Sequence, residues 1–162
     1  MSLSVPIGNI DLLTHERKIA FLSSRNAPAN AEQEVTKWIE TLDPAADCVL
    51  CGNLQKIEQK ALAQLLARRI PTILVLDKPY PKLWPTCIVE AIGEARLLVV
   101  TTTDFLLPWV DRYGQAECRN RYMISNATKV VLAHFRPGGK LHSQLAQSND
   151  EVQVLTSAPV NS

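Results

Sequence analysis

Short apolar runs alternate along the chain with longer segments in which apolar residues recur every three or four positions. That alternation of two periods is the pattern of an α/β sheet with parallel strands, each covered by the helix that follows it. Runs at 17–23, 47–51, 72–76, 95–101, 128–133 and 152–156 predict about six strands. The wholly apolar centre of Cys48-Val49-Leu50-Cys51 fits a strand buried on both faces. Helical spacing predicts helices over 31–42, 54–69, 86–93, 115–126 and 139–147. In the second of these, Ile57, Ala61, Leu62, Leu65 and Leu66 form one buried stripe. Asn30, with Gln33 three residues on, is placed to cap the first. Pro79, Pro81 and Pro85 forbid regular structure between 77 and 85 and predict an extended loop. The pattern therefore predicts a single domain over 1–156, followed by a frayed tail at 157–162.

Ligands of open α/β sheets lie outside the carboxyl ends of the strands. That rule nominates four segments, 23–26, 51–56, 77–84 and 135–142. The chemistry available there is limited by composition. The six glycines, at 8, 52, 93, 114, 138 and 139, write neither a dinucleotide-binding loop nor a P-loop. No cofactor is expected. Cys48 and Cys51 have the spacing of a metal pair, but residues three apart on a strand face opposite sides of the sheet, so both read as small buried hydrophobes. His15, His134 and His142 are scattered, with no motif to organise one as a base or ligand.

The 162 residues carry 17 Lys+Arg against 16 Asp+Glu, a formal charge of +1, so whole-chain electrostatics announces no partner. Its distribution says more. Between Arg112 and His142 six basic residues, Arg112, Arg119, Arg121, Lys129, Arg136 and Lys140, face Glu117 alone, a net +5. Tyr113, Tyr122 and Phe135 stand among them. Phosphate contacts with aromatic stacking are one reading of that window, and a solvated face is the other. Pro137-Gly138-Gly139 after a strand either lets backbone N–H groups approach an anion or makes a turn. No apolar run approaches the ~18 residues of a membrane span, and the first residues lack the layout of a signal peptide, so a cytoplasmic protein with no membrane partner is expected. With four cysteines and no such signal, reduced thiols are expected.

Several segments, in order, resemble the Rossmann-type core of the DNA-processing protein A (DprA/Smf) family. Gly8-Asn9-Ile10-Asp11-Leu12-Leu13, then Lys18 to Arg25 (KIAFLSSR), resembles that family's GN-x-x-LL and VAIVGSR. Cys51 to Glu58 (CGNLQKIE) stands where the family has SGLARGID, and Leu76 to Pro85 where it has LGTGLDRVYP. Arg119 to Thr128 (RNRYMISNAT) resembles RNRIIAGLSD, and Gly138-Gly139-Lys140-Leu141 lies near SGSLIT. The resemblance implies a Rossmann-like three-layer fold. It further implies a non-enzymatic role in binding a nucleotide or single-stranded DNA during DNA uptake or recombination, with a RecA-type recombinase as partner. The residues it places at phosphates are Ser24, Arg25, Gly52, Asn53, Lys56, Arg119, Asn120, Arg121, Gly138, Gly139 and Lys140. Three positions depart from the family: Ser24 and Lys56 replace glycines, and Gln55 replaces an arginine. The oligomeric state stays open, a homodimer included.

Pro137-Gly138-Gly139 also fits the PGG-x-G-T-x-x-E motif of the lysine-decarboxylase-like (LOG) phosphoribohydrolases. The motif's Gly, Thr and catalytic Glu are here Leu141, His142 and Leu145, and leucine cannot act on a ribosyl bond. A degenerate relative of those enzymes, or a plain interaction domain, are the alternatives. On a helical wheel whose buried stripe is Met123, Ile124 and Ala127, Asn120 falls at the centre. A buried Asn120 bonded to backbone in a neighbouring loop is therefore expected, with Arg119 and Arg121 exposed to either side.

Overall fold

A computed structural model describes residues 5–103, 112–148 and 150–156, with side chains in the second stretch from Gly114 onward. In chain order the described residues form β1 (Ile7–Gly8), a 3-10 turn (Ile10–Thr14), β2 (Lys18–Leu22), α1 (Ala31–Glu40), β3 (Cys48–Cys51), α2 (Lys56–Ala67) and β4 (Thr72–Leu76). There follow α3 (Thr86–Gly93), β5 (Leu97–Thr101), α4 (Arg112–Ser125), β6 (Lys129–Leu132), α5 (Lys140–Ala146) and β7 (Glu151–Val154). The tail at 157–162 lies outside the described residues.

One sheet holds all seven strands in the order β1-β5-β4-β3-β2-β6-β7. Only β1 is antiparallel to its neighbour. Because successive strand residues face opposite sides, the sheet carries two separate cores. Phe21, Val49, Cys51, Leu74 and Val99 point to one face, where Val35, Trp38 and Ile39 of α1, Leu65 of α2 and Ile88 of α3 cover them. Ala20, Leu22, Cys48, Leu50, Ile73 and Leu98 point to the other, under Met123 and Ile124 of α4, Leu141 of α5 and Leu12. This is the three-layer α/β fold. Cys48 and Cys51 do fall on opposite faces, buried and unpaired.

Six strands match the predicted runs, and β1 adds a seventh. Its two residues are too few for a hydrophobic pattern to register. Gly8, at φ +115°, approaches β5 so closely that a Cβ would collide with the Leu97 carbonyl. Asn9 then caps the 3-10 turn through Asp11 N–H and donates from Nδ2 to Ala95 O at 2.7 Å. The Gly8-Asn9 pair is thus an anchor for the edge strand.

The cap expected at Asn30 does not form. Its backbone is already helical, at φ −80° and ψ −4°, where a capping side chain needs an extended backbone to reach the second or third N–H of the helix, and it makes no cap bond; Ala31 N–H donates instead to Pro28 O. The loop over 77–85 also has a structural duty: the Tyr80 hydroxyl lies within donating distance of the carbonyls of Val5 and Val99, and its ring packs on Trp84. No helix among the described residues is long and apolar enough to cross a membrane.

Candidate functional site

The chain lays down β2, β3, β4 and β5 in one direction and then returns to place β6 on the other side of β2. At such a reversal the loops after the two central strands diverge and leave a crevice. Here it measures about 630 Å³ and opens between the loops after β2, β3 and β6, closed off by α4 and α5. Three of the four nominated segments meet there. The fourth, 77–84, does not, since β4 lies two strands from the reversal.

The loops are bonded to one another. Ser24 N–H donates to His134 O, and the Ser24 hydroxyl accepts from Arg136 N–H, both at 2.9 Å, which joins the loop after β2 to the loop after β6. The Gln55 amide donates to Ser23 O at 3.0 Å and joins the loop after β3 to the same segment. Asn26 holds φ at +59°, a conformation its short amide tolerates better than most side chains. Gln144 of α5 donates to Glu117 O of α4, which orients its amide and leaves Oε1 buried without a donor among the described residues.

The floor is an ion pair. Glu58 is completely buried and Arg119 is 2% exposed. Arg119 Nη1 donates to Glu58 Oε1 at 3.1 Å, and Nη2 lies 3.0 Å from Oε2. Glu58 Oε1 also accepts from the N–H groups of Leu54 and Gln55, at 3.0 and 2.8 Å, so one carboxylate pairs the arginine and caps α2. Asn120 Oδ1 takes two further guanidinium bonds, from Nε and Nη2. Gly52 lies against this pair, and a Cβ there would collide with the guanidinium. Beneath it the Cys51 thiol is pushed well above the ordinary thiol range, first by burial and then by the Glu58 charge. It stays protonated and inert.

Ser24, Arg25, Arg119, Asn120, Gly139 and Lys140, all expected at the site, line the crevice; Gly52 supports it from behind. Asn53, Lys56, Arg121 and Gly138 do not line it. The helix wheel misplaces Arg119 and Asn120. Arg119 is the buried member, drawn inward by Glu58, while Asn120 is half-buried and serves Arg119 instead of a loop backbone. Arg121 is exposed, 3.7 Å from Glu117. The net +5 window also divides. Lys129 begins β6 at the opposite edge of the sheet, Arg119 is neutralised by Glu58, and the Arg112 and Tyr113 side chains lie outside the described residues.

The Gly138 N–H donates to His142 Nδ1 at 2.9 Å and Gly139 N–H turns back to Arg136 O, so these two amides serve a turn and not an anion. No aromatic side chain lines the crevice among the described residues. Tyr122 is half-buried against the second core, which raises its phenol pKa, and Phe135 packs on the same core and edge-on to His142. The cations at the mouth are Arg25, Arg136 and Lys140, and among the described lining residues Glu117 is the acidic one.

Asn26, Gln55 and Arg136 lie within the nominated segments but are not among the residues the resemblance places at phosphates, and Glu117 and Gln144 are lining residues outside those segments. For Glu58 a signal was present. It stands in the buried stripe with Ala61, Leu62 and Leu65, where a carboxylate requires a cation. Amides such as Gln144 give no comparable signal.

No protein-family model matches the chain, and no curated protein matches it in sequence. Among the solved structures that share its fold are two of DNA processing protein A. One is DNA processing protein A from Helicobacter pylori, described for its single-stranded DNA binding mode: TM-score 0.69, 19% identity, 96% of this chain against 72% of that one. The other is DNA processing protein A from Streptococcus pneumoniae: TM-score 0.70, 18% identity, 96% of this chain against 56% of that one. At these identities the likeness establishes the shared α/β architecture.

Proposed function

We propose that this chain is a DprA-like binding module whose crevice holds the phosphates of single-stranded DNA. The observation that carries the reading is the position of the charge. Arg25 from the loop after β2, Arg136 from the loop after β6 and Lys140 from the first turn of α5 converge on the reversal between β2 and β6, the place where this architecture binds ligands. A volume of about 630 Å³ accommodates a nucleotide-sized group. The fold shared with two DNA processing protein A structures, one of them described for single-stranded DNA binding, supports the same ligand class. Arg25, Arg136 and Lys140 contact phosphate oxygens, Ser24 and Gln55 fix the loops that carry or flank them, and Arg119 with Glu58 holds the floor. Transfer of the strand to a RecA-type recombinase, and a cytoplasmic setting, extend the proposal.

Binding without covalent chemistry is the reading the site favours. Leu145, at the position where the LOG motif has its catalytic Glu, packs toward the second core. The reading is tested by titrating labelled single strands of mixed sequence at graded salt. Affinities that are similar across sequences and fall by about 0.7 log units per log unit of salt for each phosphate contact are expected. Affinity independent of salt would mean that the cations at the mouth hold no phosphate.

A further inference from the structure

Five large apolar side chains are exposed among the described residues, and four of them, Val5, Ile10, Leu83 and Val89, gather at one edge of the sheet. Val5 and Ile10 flank β1, the edge strand beside β5. Leu83 stands in the loop whose Tyr80 hydroxyl lies 3.1 Å from Val5 O, and Val89 is on the outer side of α3, which packs against β1 and β5. Leu83 and Val5 are 88% and 80% exposed. Single apolar residues on a surface need no explanation, but a cluster of this kind marks a contact.

The charges around this edge are sorted by end. β1 runs antiparallel to β5, with Ile7 opposite Val99 and Gly8 opposite Leu98, so Val5 lies toward the carboxyl end of β5 and Ile10 toward its amino end. Lys78 and Lys82 follow β4 at the carboxyl end. Asp11 and Glu90 stand toward the amino end, Asp11 beside Ile10 and Glu90 past the middle of α3. All four are exposed, and none makes an ion pair with a described residue. Glu94, also at the amino end, is taken up by Arg69 and Arg96.

A surface that is basic at one end, acidic at the other and apolar between complements its own copy turned by 180°. The lysine end of each then meets the carboxylate end of the other, the Leu83 end meets the Ile10 end, and Val89 lies near the axis. Strand addition is not the means of contact, since β1 is only two residues long and Pro6 before it has no N–H to give. With a formal charge of +1, two copies do not repel. We propose that the β1 edge joins two copies of this chain about a two-fold axis through these side chains. Three strands separate β1 from β2, so the crevice between β2 and β6 stays open in the pair.

The test is sedimentation equilibrium of the whole chain from micromolar to submillimolar concentration, where a monomer–dimer equilibrium is expected. Leu83→Glu with Val89→Glu is expected to leave a monomer at every concentration, with a thermal melt like the wild type's because both side chains are exposed. Lys82→Glu alone and Glu90→Lys alone are each expected to weaken the dimer by about tenfold. Both in one chain, or an equal mixture of the two single variants, restore opposite charges across the axis and are expected to recover it. A wild type that stays monomeric throughout leaves this edge to a different partner and overturns the proposal. A dimer indifferent to these substitutions, or one that neither the double charge swap nor the mixture restores, overturns it as well.

Discussion

Arg119 is the residue that most changes the account of this molecule. On the surface it would be one more phosphate contact. Buried against Glu58, it is a charge that the fold depends on, because a buried carboxylate without its cation faces the full penalty of desolvation. Arg119→Met or Glu58→Leu alone should destabilise by about 3–5 kcal/mol in denaturant unfolding, whereas the double variant should recover only part of that loss, since the Leu54 and Gln55 N–H groups still lose their acceptor. Additive losses in the double variant would mean that the two charges act separately. The cysteines divide in the same way by environment. Burial pushes the Cys48 thiol up to about 12 and Cys51 higher still, while Cys87 and Cys118 are exposed. Two thiols should therefore react with an alkylating reagent in the native protein at neutral pH and all four after denaturation, as counted by mass spectrometry. At this scale the sequence was legible where a residue's environment follows from its own strand. The opposite facing of Cys48 and Cys51 needs only a period of two. The partner of Glu58 stands sixty-one positions away, and no local pattern reaches it.

The elements were legible in kind and order, and their ends were not. Helices α2 and α3 each stop with a non-glycine residue in the left-handed conformation, Arg69 at φ +59° and Ala95 at φ +62°. The N–H groups of Ile70 and Arg96 turn back to Leu65 and Ala91 and close these ends without the glycine that marks such a stop in a sequence. Ala95 gains nothing from its side chain to offset that conformation, so Ala95→Gly should raise stability by about 1 kcal/mol, read as a higher unfolding midpoint. A lower midpoint would show that the loss of chain entropy to glycine dominates. The Pro137-Gly138-Gly139 segment makes the opposite point. Its glycines are visible in the sequence, but only the His142 bond decides that they build a turn.

At the scale of the whole molecule, strand order is what turns a list of elements into a site. The reversal between β2 and β6 gathers residues from 23 to 144 around one crevice. The rule that ligands lie at the carboxyl edge nominated three of its loops from the sequence alone. Which cations reach the crevice was legible in part: the resemblance placed Arg25 and Lys140 there, whereas charge along the chain does not reveal that Lys129 sits at the amino end of β6 while Arg136 of the same window joins them. Phosphate binding in the crevice depends on Arg25, Arg136 and Lys140. Its most direct test is the affinity for a labelled single strand, at about 50 mM and about 200 mM salt, of wild type against Arg136→Glu with Lys140→Glu. Both residues are exposed, so the fold should melt as before. The variant is expected to lose most of its affinity, with a salt slope smaller by about 0.7 for each phosphate contact removed. Wild-type affinity with an unchanged salt slope in the charge-reversed protein would contradict it.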